Sequence, residues 1–245
     1  YSMYPLLADG TDTTWIPVSR PEGYALTVDG VTAALREHQP NIAILCGPNN
    51  PTGTALDRDV IEAAYEAFDG ILVVDEAYQE FDAEHESAVT LLPGRPRLLV
   101  SRTMSKAFAF AGVRLGYLAA DAAVVDALRL VRLPYHLSAL TQAAATAAIR
   151  HADMMLSTVA GIRQQRDRLA SELSALGYFV HPSGANFLLV GGFTDPDATF
   201  TALRAQGILI RNLGIEGHLR MTAGTEAETT TLIEAIAALG RGGAR

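Results

Sequence analysis

Lysine is almost absent from this sequence. Nineteen of the 245 residues are basic, and eighteen of those are Arg; the one Lys is Lys106. A coding bias toward Arg and Ala accounts for the eighteen. It does not account for the exception, because Arg replaces Lys at most solvated sites but cannot lose its proton and act as a nucleophile. Lys106 is therefore a candidate for chemistry before any motif is read. Cysteine is as scarce: the single Cys46 excludes an intramolecular disulfide and a cysteine-based zinc site. The six His residues (38, 85, 136, 151, 181 and 218) form no His-x-x-x-His or His-Glu-x-x-His spacing, which argues against a metal. No apolar run is long enough to span a bilayer. The stretch Tyr1 to Pro5 lacks the basic-then-apolar pattern of a signal peptide. Glycine-rich dinucleotide, P-loop and Gly-x-Ser-x-Gly motifs are also missing. A net charge of −8 without a basic cluster argues against nucleic acid as the main partner. Together these absences fit a cytoplasmic protein.

What is present suits a buried core, with 49% of residues apolar and 19% charged. Short β-branched runs alternate with helical patterns in the first half. Trp15–Val18 reads as a short strand, Val31–His38 as a helix, and Ile42–Cys46 as a strand ending in the turn-rich segment Gly47–Gly53. Asp57 is placed to cap a helix running to Phe68. Ile71–Val74, Leu98–Val100 and Leu115–Ala119 read as further strands. This alternation predicts a largely parallel sheet covered on both faces, with ligands beyond the carboxyl ends of its strands. Asn50, Asp75 and Lys106 each lie just past such an end. From Ser138 to Leu176 the helix pattern is nearly continuous. Strands at Phe187–Val190, Ile208–Ile210 and His218–Met221 come next, with helices at Pro196–Gln206 and Glu226–Leu239. The division expected is a large domain over residues 1–145 and a small α+β domain over 146–245. Arg241–Arg245 reads as a frayed tail.

Several residues have two readings. Lys106 sits in a hydroxyl-rich turn with Arg102 and Arg114 as the local cations. A lowered pKa would let it form a Schiff base with an aldehyde; otherwise it is an ordinary half-buried Lys. Asp75 can accept from the protonated nitrogen of a heterocycle, or serve as a turn acid. Tyr78 and Asn50 can orient a ring oxygen, or pack and turn. Ser105 and Arg114 offer the hydroxyl and the forked cation that a phosphate needs, or are solvated surface residues. Arg211 and Arg220, flanked by apolar strand residues, are outward charges or anion-binding forks.

Read together, four fragments resemble the fold-type I pyridoxal-phosphate aminotransferases. They are Asn50–Gly53, Val74–Tyr78, Ser105–Lys106 and Gly112–Gly116, in that order. The details are most similar to the histidinol-phosphate aminotransferase branch, in Pro48–Gly53, Arg102–Phe108, Ala111–Arg114, Ala185–Phe187 and Leu219–Thr222. The resemblance implies a three-layer α/β/α large domain and a small α+β domain. It implies a Schiff base on Lys106, which then shuttles a proton, and Asp75 on the pyridine nitrogen. Tyr78 and Asn50 would hold the ring oxygen, and Thr103, Ser105 and Arg114 the phosphate. Tyr1 would stack on the ring. Arg220 would bind the substrate's anionic end, with Arg211 as a second contact and Asn186 nearby.

The activity implied is ping-pong transfer of an amino group from histidinol phosphate to 2-oxoglutarate in histidine biosynthesis, by a homodimer without membrane or nucleic-acid partners. The resemblance also implies that an N-terminal arm, opening strands, a phosphate-binding loop and a Tyr for the neighbouring subunit lie outside these residues. The same residues would serve an aromatic or other amino donor, or a decarboxylase or lyase on the same scaffold. A reading from a different class is an inactive interaction module that keeps the fold.

Overall fold

The apolar runs of the first half become one sheet in the computed structural model, which describes residues 1–240. Helices α1 (Met3–Gly10) and α2 (Val28–His38) precede strand β1 (Ile42–Cys46). Helix α3 (Arg58–Ala67), β2 (Ile71–Asp75), β3 (Leu98–Thr103) and β4 (Gly116–Ala119) come after it. Strands β1, β2 and β3 pair in parallel, and β4 closes the edge antiparallel to β3. The short return from β3 to β4 contains no crossover helix, and only an antiparallel partner tolerates that. The register sets Cys46 beside Asp75 and Asp75 beside Ser101, so β1 and β2 end level at one rim and β3 runs two residues past them.

Alternation along the strands sorts their side chains. Leu72, Val74, Leu98 and Val100 are buried against Val31 and Leu35 of α2 and Val60, Ile61, Ala64 and Tyr65 of α3. Each such apolar side chain contributes about 1.5–3 kcal/mol by leaving water. The opposite face is covered less completely than expected: Ile42 is 57% exposed, and Val73 is only half-buried. Helix α2 begins where Thr27 accepts from the Gly30 amide. Asp57 stands at the N-terminus of α3, as expected, but makes no side-chain cap there.

The second half contains α4 (Ala122–Val131), α5 (Ala139–Arg150), α6 (Ala152–Ala175), β5 (Phe179–Val180), β6 (Phe187–Gly191), α7 (Pro196–Ala205), β7 (His218–Thr222) and α8 (Glu226–Leu239). Strands β5, β6 and β7 form an antiparallel sheet in that order. Leu188, Val190, Leu219 and Met221 pack on Leu169 and Leu173 of α6, Leu203 of α7 and Leu232 and Ile236 of α8. Helix α8 starts in a capping box, Thr225 with Glu228. A third, smaller cluster joins the halves: Tyr78, Phe81 and Ala107 pack with Val159, Ala185 and Phe187.

Four expectations are corrected. The helix over 138–176 is two helices, interrupted at His151, whose backbone leaves helical values (φ −113°, ψ 29°) while its N–H still bonds Ala147 and Ala148. Ile208–Ile210 is not a strand. Only Arg211 bridges to β7, because the chain diverges after that one pair. Trp15–Val18 forms no strand, since no neighbour offers it a ladder among the described residues. Strand β3 runs on to Thr103, where β4 supplies backbone partners past Val100. The expected frayed tail at Arg241–Arg245 lies outside the described residues. Among the described residues no helix is long and apolar enough to cross a membrane.

Candidate active site

Lys106 leaves the end of β3 on a tightly held loop. Met104 N–H bonds Leu115 O at 3.1 Å, Phe110 N–H bonds Met104 O at 3.0 Å, and Ala109 N–H bonds Lys106 O at 3.0 Å. Buried Met104 and Ala107 anchor the loop on either side, so the lysine between them projects outward. Its ammonium lies 5.6 Å from the centre of the Tyr78 ring. Partial burial, then the positive charges of Arg220 and Arg114, hold its pKa below the ordinary lysine value. Arg102, expected as a local cation, is not one of these. It points to the other side of β3 and is bonded to Glu76 at 2.8 Å and Glu80 at 3.1 Å.

Asp75 ends β2 beside Cys46 and Ser101. Its Oδ1 accepts from the Ala77 amide at 3.1 Å, and its Oδ2 accepts from the Tyr4 hydroxyl. The Tyr78 ring is buried and meets the Phe187 ring edge-on at 5.1 Å. Burial raises the Tyr78 pKa, with the nearby Arg220 charge opposing. Tyr1 lies close enough to Tyr78 to add to that rise.

Asn50 and Arg220, separated by 170 residues, meet: Arg220 Nη1 donates to Asn50 Oδ1 at 2.6 Å. Alternation in β7 buries Leu219 and Met221 and turns Arg220 away from them, into the cleft. Its guanidinium lies 4.8 Å over the Phe187 ring. Arg220 Nε is buried with no hydrogen-bond partner among the described residues, so the fold does not use all the donors of this guanidinium. Burial, and then the Arg211 charge, lower its pKa against the opposing pull of Tyr78. The Asn50 turn reaches Arg220 because Gly53, at φ +80°, lets the chain lie against Ser183 with no Cβ between them. Gly184 N–H then bonds Gly53 O at 2.9 Å.

The remaining candidates sit at the margins. Thr103 Oγ1 and Ser105 Oγ bond each other at 2.9 Å, and Thr103 Oγ1 accepts from the Ser105 amide at 3.1 Å. Arg114 is exposed, with φ +56°, and donates to Ala111 O at 2.9 Å. Tyr1 is 55% exposed and packs edge-on against Tyr4 at 5.4 Å. Arg211 is exposed and meets the cluster through its backbone, exchanging two bonds with Arg220 at 2.9 and 2.8 Å. The structure thus brings Lys106, Tyr78, Asp75, Asn50 and Arg220 to one rim. It leaves the Arg211 side chain in solvent.

An amine of lowered pKa, a carboxylate at a strand end, an amide and an anion fork are the parts that carbonyl–amine chemistry requires. A model of the family described as aminotransferase class I and II matches residues 1–236. The chain belongs to that family. Histidinol-phosphate aminotransferase of Paenarthrobacter aurescens (strain TC1) is 54% identical over 243 residues, covering 98% of this chain and 65% of the relative. Histidinol-phosphate aminotransferase of Mycolicibacterium smegmatis is 52% identical, covering 98% and 63%. The chain therefore spans less than two thirds of the length of these curated relatives. The solved histidinol-phosphate aminotransferase of Sinorhizobium meliloti, in complex with pyridoxal-5'-phosphate, superposes with a TM-score of 0.88 at 25% identity, covering 97% of this chain and 67% of that one.

Within this family member, sequence reasoning missed two features. Tyr4 escaped notice, although it stands at the start of α1, three residues after Tyr1, and packs against it. Glu76 was passed over as the neighbour of Asp75. It is 2% exposed and accepts from the Ala88 amide, Ser87 Oγ at 2.7 Å and Arg102 Nε at 2.9 Å. A second carboxylate closing an apolar strand was the available signal.

Proposed function

We propose that the protein containing this chain transfers the amino group of histidinol phosphate to 2-oxoglutarate, giving imidazole acetol phosphate and glutamate, with pyridoxal phosphate held at Lys106. The observation that carries this reading is the placement of the one lysine. It faces Tyr78 across 5.6 Å, with its pKa lowered by burial and by Arg220 and Arg114. The choice of donor rests on the names of the relatives at 54% and 52% identity.

The residues fit the cofactor. Lys106 supplies the amine for its aldehyde, Asp75 a carboxylate for the pyridine nitrogen, and Tyr78 and Asn50 donors for the ring oxygen. Thr103, Ser105 and Arg114 suit the phosphate, and Tyr1 offers an aromatic face. When bound, pyridoxal phosphate supplies an electron sink that acidifies the substrate's carbon. Lys106 would supply the amine base that takes the proton from that carbon and, once protonated, the acid that gives it back. An amine does this near neutral pH only if its pKa is lowered, and a guanidinium does not do it at all. Arg220 would hold the anionic end of the substrate through its guanidinium, and Arg211 would give longer-range attraction.

The same reading divides the chain into a cofactor-binding domain over 1–145 and a small domain over 146–245. Separate cores on the two sheets support this. It makes the working form a cytoplasmic homodimer. Exposed Leu130, Leu133 and Tyr135 (87%, 75% and 100%) favour a subunit contact, and the unpaired, buried Cys46 favours a reducing compartment.

Borohydride reduction in the presence of pyridoxal phosphate, followed by peptide mapping, tests the site. The expected adduct is on Lys106, and an adduct confined to the N-terminal amine refutes the assignment. A donor panel on the full-length form tests the substrate: faster turnover of phenylalanine than of histidinol phosphate moves the reading to an aromatic aminotransferase.

A further inference from the structure

Asp75 is the group the proposed function sets against the pyridine nitrogen, and its carboxylate is already held by two donors. The Ala77 amide fixes Oδ1 at 3.1 Å, within its own turn. The Tyr4 hydroxyl fixes Oδ2 from 71 residues away, on α1. The phenol is itself held in place. Its ring is edge-on to Tyr1 at 5.4 Å and tilted against Trp15 at 6.4 Å. Burial, and then the neighbouring Cys46 and Asp75, push the Tyr4 pKa far up, so the group stays a proton donor throughout the working pH range.

We propose that Tyr4 is a positioning residue for Asp75: its hydroxyl, with the Ala77 amide, fixes the orientation of the carboxylate that would face a protonated ring nitrogen. The proposal rests on the cofactor reading above and adds a residue to it. A carboxylate is stabilised in its charged form by each donor it accepts. With the amide and the phenol taken, the lone pairs left on Asp75 have one direction to face. A rotating carboxylate would have to be ordered on binding, and that cost appears as lost affinity.

The test compares two ligands: pyridoxal phosphate, and its analogue with carbon in place of the ring nitrogen. Both are titrated by absorbance into the full-length wild type and its Tyr4→Phe variant. Loss of a hydrogen bond to a charged group should weaken pyridoxal phosphate about tenfold. The analogue, which presents no nitrogen to Asp75, should bind both proteins equally. On an Asp75→Asn background, Tyr4→Phe should weaken pyridoxal phosphate no further. Equal weakening of both ligands would make Tyr4 a packing residue and overturn the proposal. So would unchanged affinity, or tighter binding by the variant, which would mean that the phenol competes with the ring nitrogen. A full-length wild type that traps no pyridoxal phosphate on Lys106 would remove the cofactor reading, and this proposal with it. A wild type that traps it while the variant behaves identically removes the Tyr4 assignment alone.

Discussion

Asp75 and Glu76 leave the carboxyl end of β2 in opposite directions, and their surroundings differ in how much bonding capacity is used. Glu76 is buried, and both its oxygens are occupied, by the Ala88 amide, Ser87 and two nitrogens of Arg102. Arg102 in turn uses Nη1 on Glu80. Asp75 is half-buried and accepts from one amide and one phenol. The arginines repeat the contrast. Among the described residues, Arg220 makes one side-chain hydrogen bond, to Asn50, and keeps a buried Nε without a partner. The Glu76–Arg102 pair serves the fold, because removing either member strands the other, even though Glu80 Oε2 beside it is buried without a partner among the described residues. An unsaturated pair is held open at the cost of stability, and a ligand is what repays it.

Replacing Lys106 by Arg tests the open side most severely. Under the proposed function, transamination in the full-length form should fall by roughly 10³-fold or more, since a guanidinium carries no removable proton. The thermal midpoint should barely move, because Lys106 lies outside the apolar clusters of the core. Retained activity, measured as 2-oxoglutarate-dependent turnover, would rule Lys106 out as the reactive amine.

The two carboxylates of β2 should then separate cleanly. Glu76→Ala should lower unfolding free energy by about 3 kcal/mol, read from the urea midpoint, because Arg102 and the Ala88 amide lose a buried partner. Asp75→Asn should change stability by less than about 1 kcal/mol and instead weaken pyridoxal phosphate by at least tenfold. The reverse pattern would mean that the open and closed sides have been assigned the wrong way round.

Much of the rim was legible in the sequence, for a definite reason. A parallel strand buried in a sheet is written as a short β-branched run, and the fold then places the residues just beyond its carboxyl end. Strand ends alone located Asn50, Asp75 and Lys106 in this way. Partners across the chain were not legible. Arg102 and Lys106 are four residues apart, yet Arg102 belongs to Glu76, because the β2–β3 register and strand alternation turn it the other way. The hydrogen bond of Arg220 to Asn50 spans 170 residues and depends on how the small sheet seats against the Gly53 turn. No periodicity encodes that. The two-residue β5 is too short to carry a pattern, and the break at His151 has neither Gly nor Pro to announce it. The Tyr4–Asp75 contact joins two segments whose meeting only the packed structure reveals.

The smallest effect belongs to a third setting, neither saturated nor open. His85 lies between Asp82 at 3.0 Å and Asp57 at 3.2 Å, tying the start of α3 to the segment after Tyr78. Burial works to lower its pKa, but the hydrogen bonds and charges of Asp82 and Asp57 outweigh it and raise the value above the ordinary 6.5. A raised folded-state pKa means that the folded protein binds this proton more tightly than the unfolded chain does. The contribution is then fully present below pH 6.5 and fades as pH rises through the folded value. His85 is largely solvent-screened, so the loss should be only a few tenths of a kcal/mol. Urea midpoints measured from about pH 6 to about pH 8 should show wild type losing that increment relative to His85→Gln, whose stability carries no such contribution. Parallel pH profiles would show that the imidazole packs between the carboxylates without being charged by them, and that this part of the rim is closed by shape alone.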